Sequence, residues 1–278
     1  MLRLLKLPLL VLLLGLAGSA LADLPVLHLS AEQLAQPVEV PASQMLEDPS
    51  ASLTAGEVLA LIERQGQLVQ GTPRMGYSAS AWWVGFRLDA PPAERLNLII
   101  NRPFLDDIEV WLYERGRLVT PLYSGDHRAF LQRGEPTPHF ILNLPRLGQG
   151  PHTLLVRVQS GSAISLPLQL VAAEQSPRLL AQLWLQSGLL LGALLSLALF
   201  YLVKFSTLRE PQLVWFCLTL ASVALYNASL HGVSAMLGPQ WVWLPMQLAN
   251  LANPGMLIFS RLFLASALKL ELPRLRLL

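Results

Sequence analysis

The feature that most constrains this chain is a stretch of 21 residues, Leu183–Val203, that contains no charged side chain. An α-helix of about 20 apolar residues spans the hydrocarbon core of a membrane. Two further stretches are similar, since Leu213–Leu230 carries no charge and Trp243–Leu264 contains only Arg261. The sequence therefore predicts at least three transmembrane helices, at about 183–203, 213–230 and 243–264, in a transmembrane region over residues 179–278.

The charges beside these stretches predict how the chain crosses the membrane. Lys204 and Arg209 follow the first stretch directly, whereas the link over residues 231–242 contains no Lys or Arg. Basic residues accumulate on the cytoplasmic side of membrane proteins. We therefore expect the first link and the C-terminal tail in the cytoplasm. The N-terminal part then lies in the periplasm, outside a bacterial inner (cytoplasmic) membrane.

The N-terminus has the three parts of a signal peptide, which fits an exported domain. Arg3 and Lys6 precede an apolar stretch over residues 7–16, and Ala20-Leu21-Ala22 forms a small-x-small cleavage site. An uncleaved membrane anchor is the alternative, although the apolar stretch is shorter than the ~20 residues that a span needs. The pattern predicts a signal peptide over residues 1–22 and a mature chain that begins at Asp23.

Between the signal peptide and the first span the composition is that of a water-exposed domain. Residues 23–178 contain 12 arginines, 16 acidic residues and no lysine, a net charge of −4. Phosphate binding requires a basic surface, so nucleic acid is excluded as the partner. The single cysteine, Cys217, lies in an apolar stretch, which excludes a disulfide within the chain.

Residues 23–178 also alternate apolar and polar side chains with the period of β-strands. Six segments show this pattern clearly: 84–88, 96–100, 108–112, 140–144, 154–158 and 164–170. Turn residues separate them, and two or three weaker strands lie upstream. The pattern predicts an antiparallel β-sandwich of the jelly-roll type. Thr54 and Glu57 form a capping box, so we expect one short helix after Thr54.

No residues form a recognisable catalytic arrangement, so we predict that the chain is not an enzyme. Ser124, Asp126 and His127 are neighbours in one polar segment, and no G-x-S-x-G motif supports a hydrolase. We predict no cofactor, with calcium as a weak alternative. Its candidate ligands are the clustered carboxylates Asp106, Asp107, Glu109 and Asp126. The other interpretation of this cluster is a solvated acidic edge.

Aromatic and arginine side chains supply a candidate ligand-binding set. Flat rings and a forked guanidinium are the groups that bind sugars and carboxylates. The candidates are Tyr77, Trp82, Trp83, Arg102 and Trp111. Successive strand residues point to opposite faces, so we expect at most one of Trp82 and Trp83 in the core. The alternative is that these side chains pack the sandwich or the interface of a homodimer.

Three polar residues recur every third position in the last predicted span. Gln247, Asn250 and Asn253 share one part of the helix surface, and Pro254 follows them. Polar side chains in lipid require partners, so this face is expected to turn toward other helices. Proline removes a helical hydrogen bond, which favours a kink there. A bundle contact and a signal-transmitting hinge are both consistent with the pattern.

Four stretches carry a resemblance to a known family. They begin at Met45-Leu46-Glu47-Asp48-Pro49-Ser50, Gly76-Tyr77-Ser78, Arg102-Pro103-Phe104-Leu105-Asp106-Asp107 and Ile164-Ser165-Leu166-Pro167-Leu168. Over roughly residues 26–278 the chain resembles the bacterial seven-transmembrane receptors with diverse intracellular signalling modules, with a periplasmic sensing domain of the second type. The resemblance implies a jelly roll similar to carbohydrate-binding modules, followed by seven helices and usually a histidine kinase or diguanylate cyclase.

The resemblance implies a function and also a departure from the family. We expect a membrane-bound sensor whose periplasmic domain binds a small molecule or a glycan, in contact with the lipid bilayer. The alternative is a non-enzymatic accessory membrane protein that binds a partner through the sandwich. The sequence stops after the third span, so we expect a truncated receptor that lacks its output domain and does not signal by itself.

Overall fold

The structure is a computed structural model, and it describes residues 23–92, 95–128, 139–230 and 244–268. The predicted signal peptide lies outside the described residues. Within them the N-terminal part contains thirteen strands. These are β1 (Val26–His28), β2 (Val38–Glu39), β3 (Ala42–Asp48), β4 (Gln67–Gln70), β5 (Arg74–Gly76), β6 (Ala81–Asp89), β7 (Leu96–Ile100), β8 (Asp107–Glu114), β9 (Arg117–Ser124), β10 (Phe140–Asn143), β11 (His152–Gln159), β12 (Ile164–Ser165) and β13 (Leu168–Ala172).

The strands form two main sheets that are mostly antiparallel. The larger has the order β4-β3-β6-β11-β8-β9, and β1 pairs in parallel with the second half of β6. The smaller has the order β10-β7-β13-β2. Buried side chains of both sheets, among them Phe86, Val156, Leu98 and Leu170, form one core cluster. The fold is therefore a β-sandwich, as the alternating pattern predicts.

Two details of the strands differ from the sequence expectation. The segment predicted as one strand over residues 164–170 is divided at Pro167, so that β12 pairs with β5 and β13 joins the smaller sheet. Proline interrupts a ladder because it has no amide hydrogen. The edge strand β9 was not predicted, because Pro121 and the exposed Leu118 and Val119 obscure its alternation.

A helix covers the outer face of the larger sheet. Helix α1 (Ala55–Gln65) begins with the predicted capping box, in which Thr54 N donates to Glu57 Oε2 (2.8 Å) and Glu57 N donates to Thr54 Oγ1 (3.4 Å). These bonds from the amide and hydroxyl of Thr54 lower the pKa of Glu57. Val58 and Ile62 are fully buried in a second core cluster that also contains Trp83. Strand β6 is therefore packed on both of its faces.

Three long helices follow the sandwich: α2 (Ser176–Leu208), α3 (Pro211–Leu230) and α4 (Leu244–Ala267). Each is long and apolar enough to cross a membrane, and the described residues contain three such helices. The prediction of three apolar helices that could span a membrane is confirmed. Helix α4 continues through Pro254, so the proline does not end it. Along α2, large apolar side chains such as Leu189 (66% exposed) face outward, as expected for a lipid-facing surface.

The junction between the sandwich and α2 is packed. Helix α2 begins at Ser176, which is 4% exposed, and Asn97 Nδ2 of β7 donates to Ser176 Oγ at 2.8 Å. Leu179 and Leu180 pack against the outer face of the smaller sheet. This contact defines two ends of the sandwich. We call the end at which α2 begins the helix end and the opposite end of the strands the loop end.

Candidate ligand-binding cleft at the loop end

Strand register brings distant segments together at the loop end of the larger sheet. Ala81, the first residue of β6, pairs with Asp48 at the end of β3. Val158 near the end of β11 pairs with Ile108 near the start of β8, and Ile108 pairs with Ser124 at the end of β9. The loops that precede or follow these residues therefore meet in one place.

Asp106 fixes three of these loops to one another. Its Oδ1 accepts a hydrogen bond from Ser160 Oγ (2.9 Å), and its Oδ2 accepts one from the Gly161 amide (2.8 Å). Gly125 lies against the Asp106 backbone with φ +125°, where a Cβ atom would come within 2.3 Å of the Asp106 carbonyl oxygen. Only glycine fits this position. The geometry of the loop end is thus set by close packing as well as by hydrogen bonds.

Arginines compensate the neighbouring carboxylates. Asp107 Oδ1 lies 2.6 Å from Arg128 Nη2, and Asp107 Oδ2 lies 3.5 Å from Arg157 Nη1. The same Arg157 nitrogen lies 3.3 Å from Glu109 Oε1. Arg157 also donates to Gln159 Oε1 at 3.0 Å. Paired and partly buried, these charges form a network that orients the end of β11 relative to the start of β8.

A polar cleft of about 340 Å³ opens between these loops. Its walls are Ser78, Ala79, Asp106, Asp107, His127, Gln159, Ser160 and Gly161. Tyr77, next to Ser78 in the chain, is 83% exposed. The cleft therefore offers carboxylate, amide, hydroxyl and imidazole groups, with an exposed aromatic ring on an adjoining residue.

The four predicted calcium ligands do not converge on one point. Asp107 and Glu109 bind Arg157 instead. In the part of the chain that the structure describes, the carboxylates of Asp106 and Asp126 group with the unpredicted imidazole of His127, with ligand atoms within 4.8 Å of one another. His127 Nε2 lies 3.9 Å from Asp106 Oδ2 and 4.0 Å from Asp126 Oδ1. Both Asp106 oxygens accept hydrogen bonds from the Ser160–Gly161 loop, and calcium binding stays a prediction.

The predicted aromatic set is divided between the cores and the surface. Trp83 is 1% exposed in the cluster beneath α1, and Trp82 packs partly buried against the main core, so neither ring is free on the surface. Both rings pack against a core where at most one was expected to, because α1 covers the outer face of β6. Trp111 packs beside the α1 cluster, and Arg102 stacks over Phe104 at 5.8 Å. Of the five, only Tyr77 is next in the chain to a residue of the cleft, Ser78.

Sequence reasoning missed several walls of the cleft. His127, Gln159, Ser160 and Gly161 follow different strands, and no motif connects them. The signal that was available is weak: Ser160-Gly161-Ser162 is a small polar run between two strands, which indicates a tight loop. Its contact with Asp106, 54 residues earlier, depends on strand pairing.

Comparison with known families agrees with this architecture. Residues 41–172 match the family model "7TMR-DISM extracellular 2", and residues 184–278 match "7TM diverse intracellular signalling". Together the two matches cover most of the chain and follow the order of sandwich and helices. The chain belongs to the 7TMR-DISM receptor family.

Other comparisons add little to this placement. No curated protein matches the chain. Among solved structures, a family 35 carbohydrate-binding module from Clostridium thermocellum is similar at 10% identity and a TM-score of 0.23, covering 51% of this chain and 95% of that one.

As a 7TMR-DISM protein, the chain is a membrane protein of a sensor and receptor family with an outward-facing N-terminal domain. Its two matched domains are sensory and not catalytic. Most of α2 and all of the described α3 and α4 lie within the seven-transmembrane match, and these helices contact the lipid bilayer. In the 7TMR-DISM helices, Gln247, Asn250 and Asn253 are all exposed, so this face does not pack on the other described helices. Its predicted contact with further helices stays a prediction.

Proposed function

We propose that this chain is the sensing part of an inner-membrane bacterial receptor whose sandwich binds a polyhydroxylated small molecule or glycan in the loop-end cleft. The observation that carries the proposal is the convergence of polar groups around one cleft, with the exposed Tyr77 next in the chain to the wall residue Ser78. A volume of about 340 Å³ lies at the lower end of the range for small-molecule sites.

The groups of the cleft suit a ligand with several hydroxyls. Asp106 and Asp107 present carboxylate oxygens, which accept hydrogen bonds from hydroxyl groups. Gln159 supplies both a donor and an acceptor, and Ser78 supplies a hydroxyl. A flat aromatic face such as that of Tyr77 packs against the apolar face of a sugar ring. An apolar ligand is disfavoured because it would desolvate these polar groups without replacing their hydrogen bonds.

The fold also offers a continuous route from the cleft to the membrane. Ser160 and Gly161 line the cleft, and the chain continues from them through β12 and β13 into α2. Strand β13 pairs with β7, whose Asn97 holds the first turn of α2. A displacement of the Ser160–Gly161 loop by ligand is thereby transmitted along β13 to the helix. A receptor requires such a connection between its two ends.

The test uses the full chain in lipid nanodiscs and a panel of monosaccharides and disaccharides, with binding measured by calorimetry. For the tightest binder we expect Tyr77→Ala to weaken binding about tenfold through loss of ring stacking. His127→Ala, which removes a 72% exposed side chain from the cleft wall, should also weaken binding.

Leu68→Ala is the control, because Leu68 is 52% exposed on β4, away from the cleft. It should leave binding unchanged. Equal effects of the cleft and control variants, or no binding by any sugar of the panel, would contradict the proposal.

Partner binding through the sandwich edge is the second candidate. Strand β9 is an edge strand of the larger sheet, and its Leu118 and Val119 are 47% and 45% exposed. Exposed apolar edges pair with other chains, including a second copy in a homodimer. Cross-linking from a cysteine placed at Leu118 tests this candidate. Adducts that form regardless of ligand would favour it over the sensor proposal.

A further inference from the structure

A second cleft lies at the helix end, between the sandwich and the first turns of α2. Its volume is about 560 Å³, and its walls include Arg95, Arg146, Asn97, Ser176 and Leu180. The hydrogen bond between Asn97 and Ser176 closes its inner side. The cleft is thus built from both parts of the molecule, and it is distinct from the loop-end cleft.

The cleft lies at the level of lipid headgroups. The uncharged run of α2 ends at Val203, just before Lys204, and the ~20 residues that cross a hydrocarbon core, counted back from there, place the outer edge of the core near Leu183. At 1.5 Å of rise per residue, Leu180 lies ~5 Å and Ser176 ~10 Å beyond that edge. The polar headgroup layer adds roughly 5–8 Å on each side of the hydrocarbon core. The cleft therefore opens where phosphate groups of the outer leaflet are found.

The charge of the cleft suits an anion. Arg95 and Arg146 are both exposed, and within the described part of the chain no carboxylate lies within ion-pair distance of either. This contrasts with the loop end, where Arg128 and Arg157 bind carboxylates. A guanidinium binds phosphate oxygens through two parallel hydrogen bonds. Two guanidinium groups in one cleft, neither with a carboxylate partner among the described residues, therefore favour a phosphate.

The geometry points to a binding site for the phosphate headgroup of an anionic phospholipid between Arg95, Arg146 and the start of α2. The bilayer is the source, rather than free phosphate, because Leu180 and Pro177 give the cleft an apolar wall that continues into the lipid-facing surface of α2. The headgroup contacts the arginines while an acyl chain follows the helix. Such a lipid would bridge the smaller sheet and α2, and would hold the junction in one orientation.

The experiment measures lipid binding by the full chain after delipidation in detergent. Native mass spectrometry reports binding of phosphatidylglycerol, phosphatidylcholine and inorganic phosphate, each added separately. We expect tighter binding of phosphatidylglycerol than of phosphatidylcholine. The double variant R95Q/R146Q should raise the apparent dissociation constant for phosphatidylglycerol about 30-fold, which equals ~2 kcal/mol at 1.4 kcal/mol per tenfold.

Two further variants test whether the loss of binding depends on the charges of Arg95 and Arg146. Arg74→Gln removes one exposed arginine on β5, outside the cleft, and should leave phosphatidylglycerol binding unchanged. R95K/R146K keeps both charges and should retain most of the binding, which excludes a folding defect as the cause. The proposal is overturned if R95Q/R146Q binds phosphatidylglycerol like the wild type, or if the two lipids bind equally. Inorganic phosphate that binds as tightly as the lipid would also overturn it, by identifying a site for a free anion.

Discussion

Apolar side chains are buried in the sandwich but exposed on the helices. In the sandwich Leu98 and Phe86 are completely buried, whereas on the helices Leu189 and Leu251 are 66% and 69% exposed. Water drives apolar residues into a core, but lipid tails are as apolar as leucine and give no such drive. Apolar side chains of this chain are therefore buried where water surrounds the fold and exposed where lipid surrounds it.

Polar groups show the same contrast in reverse. Several buried polar groups of the sandwich are bonded within it, as in the pair of Asn97 and Ser176 or the turn around Asp48. On α4, Asn250 and Asn253 are exposed, and no hydrogen bond joins either side chain to another described residue. In a membrane such groups require partners. The sandwich thus holds polar pairs within its own fold, while α4 leaves a polar face for other segments or molecules.

The largest expected effect comes from one substitution made in both regions. Leu98→Ala removes a fully buried side chain from the main core and should destabilise the sandwich by about 3–5 kcal/mol. Leu189→Ala on α2 should change stability by less than about 0.5 kcal/mol, because this residue faces lipid. Pulse proteolysis of the full chain in urea and mild detergent measures both. Similar losses of stability in the two variants would contradict this difference between the sandwich core and α2.

Enlarging a glycine tests the same difference by overpacking. A Cβ at Gly85 would lie 2.8 Å from Ile62 Cδ1 and 3.0 Å from Leu155 Cδ2, so Gly85→Val should cost about 1–3 kcal/mol. Gly188 of α2 has no neighbouring atom within 4 Å of its Cβ position. Gly188→Val should therefore be tolerated. A loss at Gly188 equal to that at Gly85 would show that α2 is packed against a partner.

A pH-dependent effect is expected at Asp48, near the loop end. Burial opposes ionisation of this carboxyl group, but bonds from the Leu53 amide (2.9 Å) and the Ser50 hydroxyl (2.8 Å) outweigh it and lower its pKa. A lowered folded-state pKa stabilises the fold above the ordinary value of 3.8, and this stabilisation is lost as the pH falls below it.

Asp48→Asn should therefore cost about 1.5 kcal/mol at pH 7 and much less near pH 2. Urea unfolding at both pH values measures the cost. Asp23→Asn, which alters an exposed carboxyl, is the control and should show no such dependence. A cost of Asp48→Asn that stays constant with pH would contradict the assignment.

The smallest effect is expected on α4. Asn250→Leu should leave the thermal stability of this chain in detergent unchanged within about 0.6 kcal/mol, because this side chain is exposed on α4. Ala252→Leu, two residues later, enlarges a side chain that is 3% exposed and should destabilise the helices. Equal losses in both variants would show that Asn250 makes a contact within the chain.

The strands and spans could be predicted because their signals are local. Alternation along residues 84–88 and 108–112 indicates strands whatever their partners are, and a charge-free run of 21 residues indicates a span. The capping box of Thr54 and Glu57 is equally local, since its two bonds join residues three apart. Where a local signal was interrupted, at Pro121 in β9 and at Pro167 between β12 and β13, the prediction failed.

The candidate site was only partly accessible to sequence reasoning. Aromatic rings were selected by type, and type does not distinguish Trp83 beneath α1 from Tyr77 at the surface. Carboxylates were grouped by sequence proximity, whereas the bonds of Arg157 to Asp107 and Glu109 join residues about 50 positions apart. Proximity in sequence did place Asp106 and Asp107 on the cleft wall.

The sequence by itself determined the order of parts, which is an alternating, acidic domain and then three apolar helices. Alternating polar side chains indicate a domain in water, and long apolar runs indicate helices in lipid. Only the tertiary structure decided which faces are covered and where the two clefts lie. Helix α1 buries Trp83, the start of α2 lies on the smaller sheet, and Asp106 meets Ser160 across 54 residues. Solvent preference is a property of each residue, whereas these contacts depend on which strands pair, because pairing sets what each side chain meets.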